Sequence, residues 1–215
     1  MFLMVNRQNS EKDAILMILI AYMEFAAKNY NKENFQNIQC LQQDLRDKEY
    51  LNCVFRKCSF NDCDFSGSVF IDCQFLDCNL SNIKINNCSF QGVVFERCKL
   101  LGIRFSTIDT LLIAWIFKEC VMMICDFGDL DIKESKFINC KMKEVDFINT
   151  NLAGTDFSGS GLLMCKFYNA NLEKTNFVGA FDYCINPLDN KLKQAKFSYP
   201  EVLSLLAAFE IKVDF

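Results

Sequence analysis

Residues 53–65 read CVFRKCSFNDCDF, with cysteine at Cys53, Cys58 and Cys63 and phenylalanine at Phe55, Phe60 and Phe65. A small and a large apolar side chain, two residues apart, recur every five positions. That period is neither the 3.6 of an α-helix nor the 2 of a strand. It demands a chain that turns a corner every five residues. Four corners close a square, so one coil takes about 20 residues, and coils stack by strand-like hydrogen bonding about 4.8 Å apart.

Working outward, the large residue is the centre of each five. Centres run from Phe35 to Phe105, slip by two residues within STIDTLLI, and resume from Phe117 to Phe177. Every fourth centre gives Phe35, Phe55, Phe75, Phe95, Phe117, Phe137, Phe157 and Phe177, an unbroken core ladder. A neighbouring face gives Phe65, Ile85, Phe105, Phe127, Phe147 and Phe167. Both columns survive the slip, so the sequence predicts a bulge or small loop within one continuous solenoid. Centres fill the axis, and the residues two before them fill the space between corners. Cysteine suits the second position because it is small, apolar and polarizable.

Composition narrows the function. The net charge of −4 disfavours direct nucleic-acid binding, which needs a basic patch. The absence of histidine removes His-based acid–base catalysis and every His-containing metal site. Most of the 13 cysteines fall at inward positions of the rhythm, which makes them core residues and points to a reducing cytoplasm. Cys58, Cys78, Cys98, Cys120 and Cys140 are expected to stack on one face. A line of thiols does not converge as four zinc ligands must, and parallel side chains do not reach disulfide dihedrals readily. Packing is the reading adopted, with no cofactor and no catalytic residue.

The stretches ANLEKTNF, TNLAGTDF and NCKMKEVDF resemble the pentapeptide-repeat family, whose motif is A(D/N)LXX, over roughly residues 33–180. The resemblance implies an all-β fold, a right-handed quadrilateral parallel β-helix. The periodicity alone yields a solenoid but not its hand. Residues 1–32 are expected to form an N-terminal helical extension or cap, 33–180 the β-helix, and 181–215 a C-terminal capping and dimerisation module.

Both ends invite a cap, because a solenoid exposes its apolar axis there. AILMILIAYMEFAA, residues 14–27, is interrupted by Glu24 and too short to span a bilayer. It reads as a buried or amphipathic helix, or, with Met23 as the natural start, as the end of an upstream extension. Pro200 opens a second helix, with Val202, Leu205, Leu206 and Phe209 on one face and IKV as a spare strand after it. This tail resembles the terminal module of Qnr-type quinolone-resistance proteins and the McbG-type microcin immunity protein, which implies a homodimer.

Two outward features stand out. Leu101, Val121, Met123, Ile124, Leu163 and Met164 form an apolar stripe, which marks a contact. The economical occupant is the 14–27 helix folded back over it; failing that, the stripe is a partner site. Asp44, Asp64, Asp126 and Asp146 share one column, with Asp47 and Asp129 beside it and Asp131 and Glu134 on the adjacent face. Carboxylates at regular spacing imitate duplex phosphates. The resemblance implies a protein partner such as DNA gyrase or topoisomerase IV, with tolerance to quinolones or a peptide toxin. Lys84, Arg104 and Lys166 interrupt the column. Qnr-type proteins also use projecting loops, whereas the one break here is two residues long. A general interaction scaffold and, far behind, an enzyme are the other classes.

Overall fold

The computed structural model describes residues 19–109 and 115–211, together with Leu16 and Ile113. Its strands are two or three residues long and every strand pairing is parallel. The longest sheet stacks Asn34–Gln36, Val54–Arg56, Gln74–Leu76, Val94–Glu96, Ile116–Lys118 and Lys136–Ile138. Phe35 pairs with Phe55, Phe55 with Phe75 and Phe75 with Phe95, always 20 residues on. Phe95 then pairs with Phe117 and Phe117 with Phe137. The two-residue slip is absorbed between residues 105 and 115 without breaking the ladder; residues 110–112 and 114, part of it, lie outside the described residues.

The phenylalanine ladder runs down the axis as predicted. Ring centroids are 5.0 Å apart for Phe35–Phe55, 4.8 Å for Phe95–Phe117 and 5.2 Å for Phe157–Phe177, with ring planes nearly parallel. Phe105, Phe127, Phe147 and Phe167 stack as a second column, and Tyr30, Tyr50, Phe70 and Phe90 as a third. Neighbouring columns meet edge to face, as Phe117 and Phe127 do at 86°. Each fully buried ring contributes about 1.5–3 kcal/mol by area alone.

The position two before each centre does more than fill space. Thr150 Oγ1 donates to the carbonyl of Phe127 at 2.9 Å, Ser160 Oγ to that of Phe137 at 2.7 Å and Ser68 Oγ to that of Leu45 at 3.0 Å. Cys78, Cys98 and Cys120 donate in the same way to Phe55, Phe75 and Phe95, at 3.3, 3.2 and 3.4 Å. Where this residue carries an O–H or S–H it can therefore satisfy a buried carbonyl one coil back, while Val93, Ile103, Leu130, Val145 and Ala170 hold the same position as apolar fill. Trp115, which is not small, obeys the same rule: its indole N–H donates to the carbonyl of Phe90 at 3.1 Å across the slip.

The corner itself is set two residues after each centre, where φ is positive at Asn37, Asp62, Asn87, Asn139 and their equivalents. Asparagine, aspartate and glycine tolerate that conformation best. Ile124, at φ 53°, is β-branched and strained there.

Both ends differ from expectation. The helical residues 19–24 do not reach the apolar stripe. They sit on the first coil, where Ala21 and Phe25 are buried and Phe25 stacks on Phe35 at 4.9 Å. An apolar ring finds its best cover at the open axis, so the segment serves as a lid; residues 14, 15, 17 and 18 of the predicted helix lie outside the described ones. At the other end, parallel pairing continues past residue 180. Asn171 bridges Lys191, and Phe197 pairs with Phe177 and stacks on it at 5.0 Å. Glu201–Phe209 is a 3-10 helix, so its residues align every three positions. Val202 and Leu205 lie on one stripe and Leu206 and Phe209 on the next, rather than all four on one face. Leu205 packs on the core, whereas Phe209 is exposed. Of the IKV strand, residues 212 and 213 lie outside the described ones.

Candidate protein-binding surface

The stripe predicted from sequence lies on adjacent coils of a single sheet. Lys99–Leu101, Val121–Met123, Lys141–Lys143 and Gly161–Leu163 pair in order, with Val121 opposite Lys99 and Lys141, and Leu163 opposite Lys143. Ile124 and Met164 occupy the outward corners beside it and are 58% and 62% exposed. Val121 and Leu163 are also exposed, while Leu101 and Met123 are half-buried. One residue belongs to this surface that the stripe omitted. Phe181 bridges Gly161, is exposed, and helps to line a shallow groove of about 280 Å³ with Val121, Met123, Leu163 and the Lys141 and Lys143 side chains. The twenty-residue count places it directly beyond Gly161, so the signal was present in the sequence. Gly161 gives the ring its room: a Cβ there would lie 2.9 Å from Phe181.

The acidic residues are not one patch. Asp44 bridges Asp64, Asp64 bridges Lys84, Arg104 bridges Asp126, Asp126 bridges Asp146 and Asp146 bridges Lys166. Asp126 and Asp146 are therefore neighbours, whereas Asp64 is separated from them by two basic coils. Asp129 sits at the next corner and accepts from Asn149 Nδ2 at 2.9 Å. Asp131 lies on the adjacent face, 3.7 Å from Lys133 Nζ, and Glu134 is at a positive-φ corner of that face.

Much of this aspartate is explained by the turn. Oδ1 accepts the backbone N–H two residues on, from Ser66 to Asp64 at 2.9 Å, from Gly128 to Asp126 at 2.8 Å and from Ile148 to Asp146 at 2.8 Å. Asn79, Asn151 and Asn171 make the same bond elsewhere. This bond uses an Asx oxygen but not a charge, and Lys84, Arg104 and Lys166 hold the same position without it, so the choice of aspartate over asparagine in this column is not dictated by the fold. Asp44 adds an ion pair with Arg46, whose guanidinium holds its carboxyl well down, to about 2.

The thiols are core residues, and burial keeps several of them neutral. Twelve cysteines are buried, all 13 are free, and no cluster that could hold a metal ion occurs among the described residues. Burial pushes Cys73, Cys88 and Cys165 up to about 12 and Cys125 to about 11, so each is a neutral thiol near neutral pH. Among the described residues no helix is long and apolar enough to cross a membrane.

With the coil geometry established, the comparisons agree with it. Residues 50–94 match the family described as pentapeptide repeats (9 copies), and residues 125–161 the one described as pentapeptide repeats (8 copies). The chain is a pentapeptide-repeat solenoid. No curated protein sequence matches it significantly. Among solved structures, a trypsin-treated form of QnrB1, a plasmid-mediated fluoroquinolone resistance protein, is similar at TM-score 0.72 and 16% identity, over 88% of this chain and 95% of that one. A second trypsin-treated form of QnrB1 is similar at TM-score 0.60 and 15% identity, over 84% and 100%. At these identities the likeness is one of fold.

Proposed function

We propose that this pentapeptide-repeat solenoid is a non-catalytic, cytoplasmic protein-binding rod whose contact surface is the Val121–Met164 face. The observation that carries this reading is the group of exposed apolar side chains on one face, Val121 and Ile124 on one coil and Leu163 and Met164 two coils on, with Ile124 kept in a conformation that asparagine or glycine would adopt more easily. Lys141 and Lys143 lie within the groove and Lys99 flanks it, outnumbering Asp182 in the groove and Glu144, which pairs with Lys143 at 3.5 Å. The partner is therefore a protein segment that presents apolar side chains flanked by carboxylates. A photo-crosslinking residue placed at Met164, compared with one at the exposed Lys133 on another face, tests this in cells. One discrete adduct from Met164, absent from Lys133 and lost on Lys143→Glu, is expected. Equal labelling from both faces refutes the assignment.

A narrower reading makes the partner a type II topoisomerase, DNA gyrase or topoisomerase IV, met by carboxylates that stand in for duplex phosphates. The doublets Asp44–Asp64 and Asp126–Asp146, at strand spacing, support it, as does the QnrB1-like fold. Lys84, Arg104 and Lys166 in the same column weigh against it. Supercoiling assays with the cognate enzyme, with and without ciprofloxacin, decide the matter: neither inhibition nor protection removes this reading. A homodimer through Val202, Leu205, Leu206 and Phe209 belongs to the same proposal, supported by the partial exposure of these side chains.

A further inference from the structure

The column Asp44, Asp64, Lys84, Arg104, Asp126, Asp146, Lys166 carries like charges in doublets: two negative, two positive, two negative, then positive again. Elsewhere the rod shows how a column satisfies itself. Asp77 and Arg97, on consecutive coils, alternate in sign and form a bidentate ion pair at 2.7 and 3.2 Å. Doublets cannot do this throughout, because Asp126 faces Asp146 and Lys84 is followed one coil on by Arg104. Like charges directly opposite one another in a sheet are destabilising. Among the described residues, Asp64, Lys84, Arg104, Asp126, Asp146 and Lys166 form no ion pair within the chain.

The same sequence of signs is complementary to its own reverse. We propose that this face docks a second copy of the chain, antiparallel and side by side, about a twofold axis between Arg104 and Asp126. A twofold in the plane of contact keeps each column facing itself and reverses its direction. Arg104 then meets Asp126 of the second copy, Lys84 meets Asp146, and Asp64 meets Lys166. Each pair occurs twice, and Asp44, already paired with Arg46, lies beyond the matched charges.

The columns beside it permit the approach. Ser106 meets Gly128, Asn86 meets Ile148 and Ser66 meets Tyr168. At the corner, Asn87 meets Asn149 and Thr107 meets Asp129, so no like charges are opposed. The residues next to the axis, Ser106 and Gly128, are small. The carboxylates are also held in place before contact: Asp126 by Gly128 N–H and by Ser106 Oγ at 2.6 Å, Asp146 by Ile148 N–H and Asp64 by Ser66 N–H. That lowers the ordering cost of binding. The contact spans about 24 Å along the rod at strand spacing, short of a standard interface, so it is a weak, salt-sensitive association. It does not depend on the apolar face.

Sedimentation of the full chain at high concentration in 20 mM and in 500 mM salt tests this. The mass is expected at least to double at low salt and to fall back at high salt, where exposed charge pairs are screened. Lys84→Glu opposes two like pairs and is expected to weaken association about tenfold or more. Lys84→Glu with Asp146→Lys restores the complement, and the association with it. Phe209→Glu, which spoils an end-to-end contact, leaves the salt-dependent doubling unchanged. A mass that does not rise at low salt, a Lys84→Glu variant that associates like the parent, a double variant that fails to recover, or loss of the effect in Phe209→Glu would each overturn the proposal. Circular dichroism confirms that each variant is folded.

Discussion

The coils before the slip and those after it do the same job with different chemistry. Before Trp115 the buried donor between corners is almost always a thiol, as at Cys58, Cys73, Cys78, Cys88 and Cys98. After it, thiols persist at Cys120 and Cys125, and hydroxyls then take over at Thr150, Thr155, Ser160 and Thr175. The bond is the same, from a side chain to a carbonyl one coil back, and only its strength differs. The position therefore accepts either kind of donor, and at Val93, Ile103, Leu130, Val145 and Ala170 it accepts none.

High pH is the strongest way to separate the two halves. A thiol whose folded pKa lies near 12, against an ordinary value of about 9, stabilises the protein fully below pH 9. As pH rises, the unfolded state loses its proton first, so stability falls until the folded pKa is reached. The loss is roughly 1.4 kcal/mol per thiol per pH unit above 9. Of the buried cysteines shifted upward, six precede Trp115 and three follow it. Alkylation at pH 10, mapped by mass spectrometry, is expected to label the first half before the second. Simultaneous labelling would mean that the halves unfold as one unit.

Next in size, Phe95→Ala removes a ring stacked between Phe75 and Phe117 and is expected to cost about 3–5 kcal/mol. The exposed Lys99→Ala costs less than about 0.5 kcal/mol. Equal costs in denaturant titrations would contradict the inward assignment.

A smaller effect probes the donor rule directly. Thr150→Val keeps the shape but leaves the carbonyl of Phe127 without this donor, at about 1–2 kcal/mol. Thr150→Cys, which imports the first half's solution, is expected to cost less than Thr150→Val. The reverse order would show that the thiols merely fill space.

The smallest effect has the opposite sign. Ile124→Asn places a residue suited to positive φ at a strained corner and is expected to raise stability by about 0.5–1 kcal/mol. A loss instead would show that the Ile124 side chain packs within the monomer.

The sequence made the axis legible because phenylalanine columns repeat without ambiguity. The slip was readable for the same reason, since Phe95 and Phe117 still align across it. The donor role of Cys98 or Trp115 was hidden, because a hydrogen bond to a carbonyl one coil away leaves no periodic mark beyond size. Likewise the aspartates of the acidic column looked functional because an Asx turn and a surface charge are written with the same letter. The lid was misplaced onto the stripe because hydrophobicity says that a helix needs cover, not which apolar surface is nearest. The stripe itself, Leu101 through Met164, was found by counting, and Phe181 lay one count further on.

Phe25 has a consequence for the growth of such a rod. A structure that gains one ring and one set of parallel hydrogen bonds per coil has no intrinsic length, and its bare end is a template for another chain's strand edge. By occupying the place above Phe35 where the next ring would stack, Phe25 makes the first coil a terminus. A single aromatic side chain just past a short helix thereby stands between a discrete molecule and a polymer.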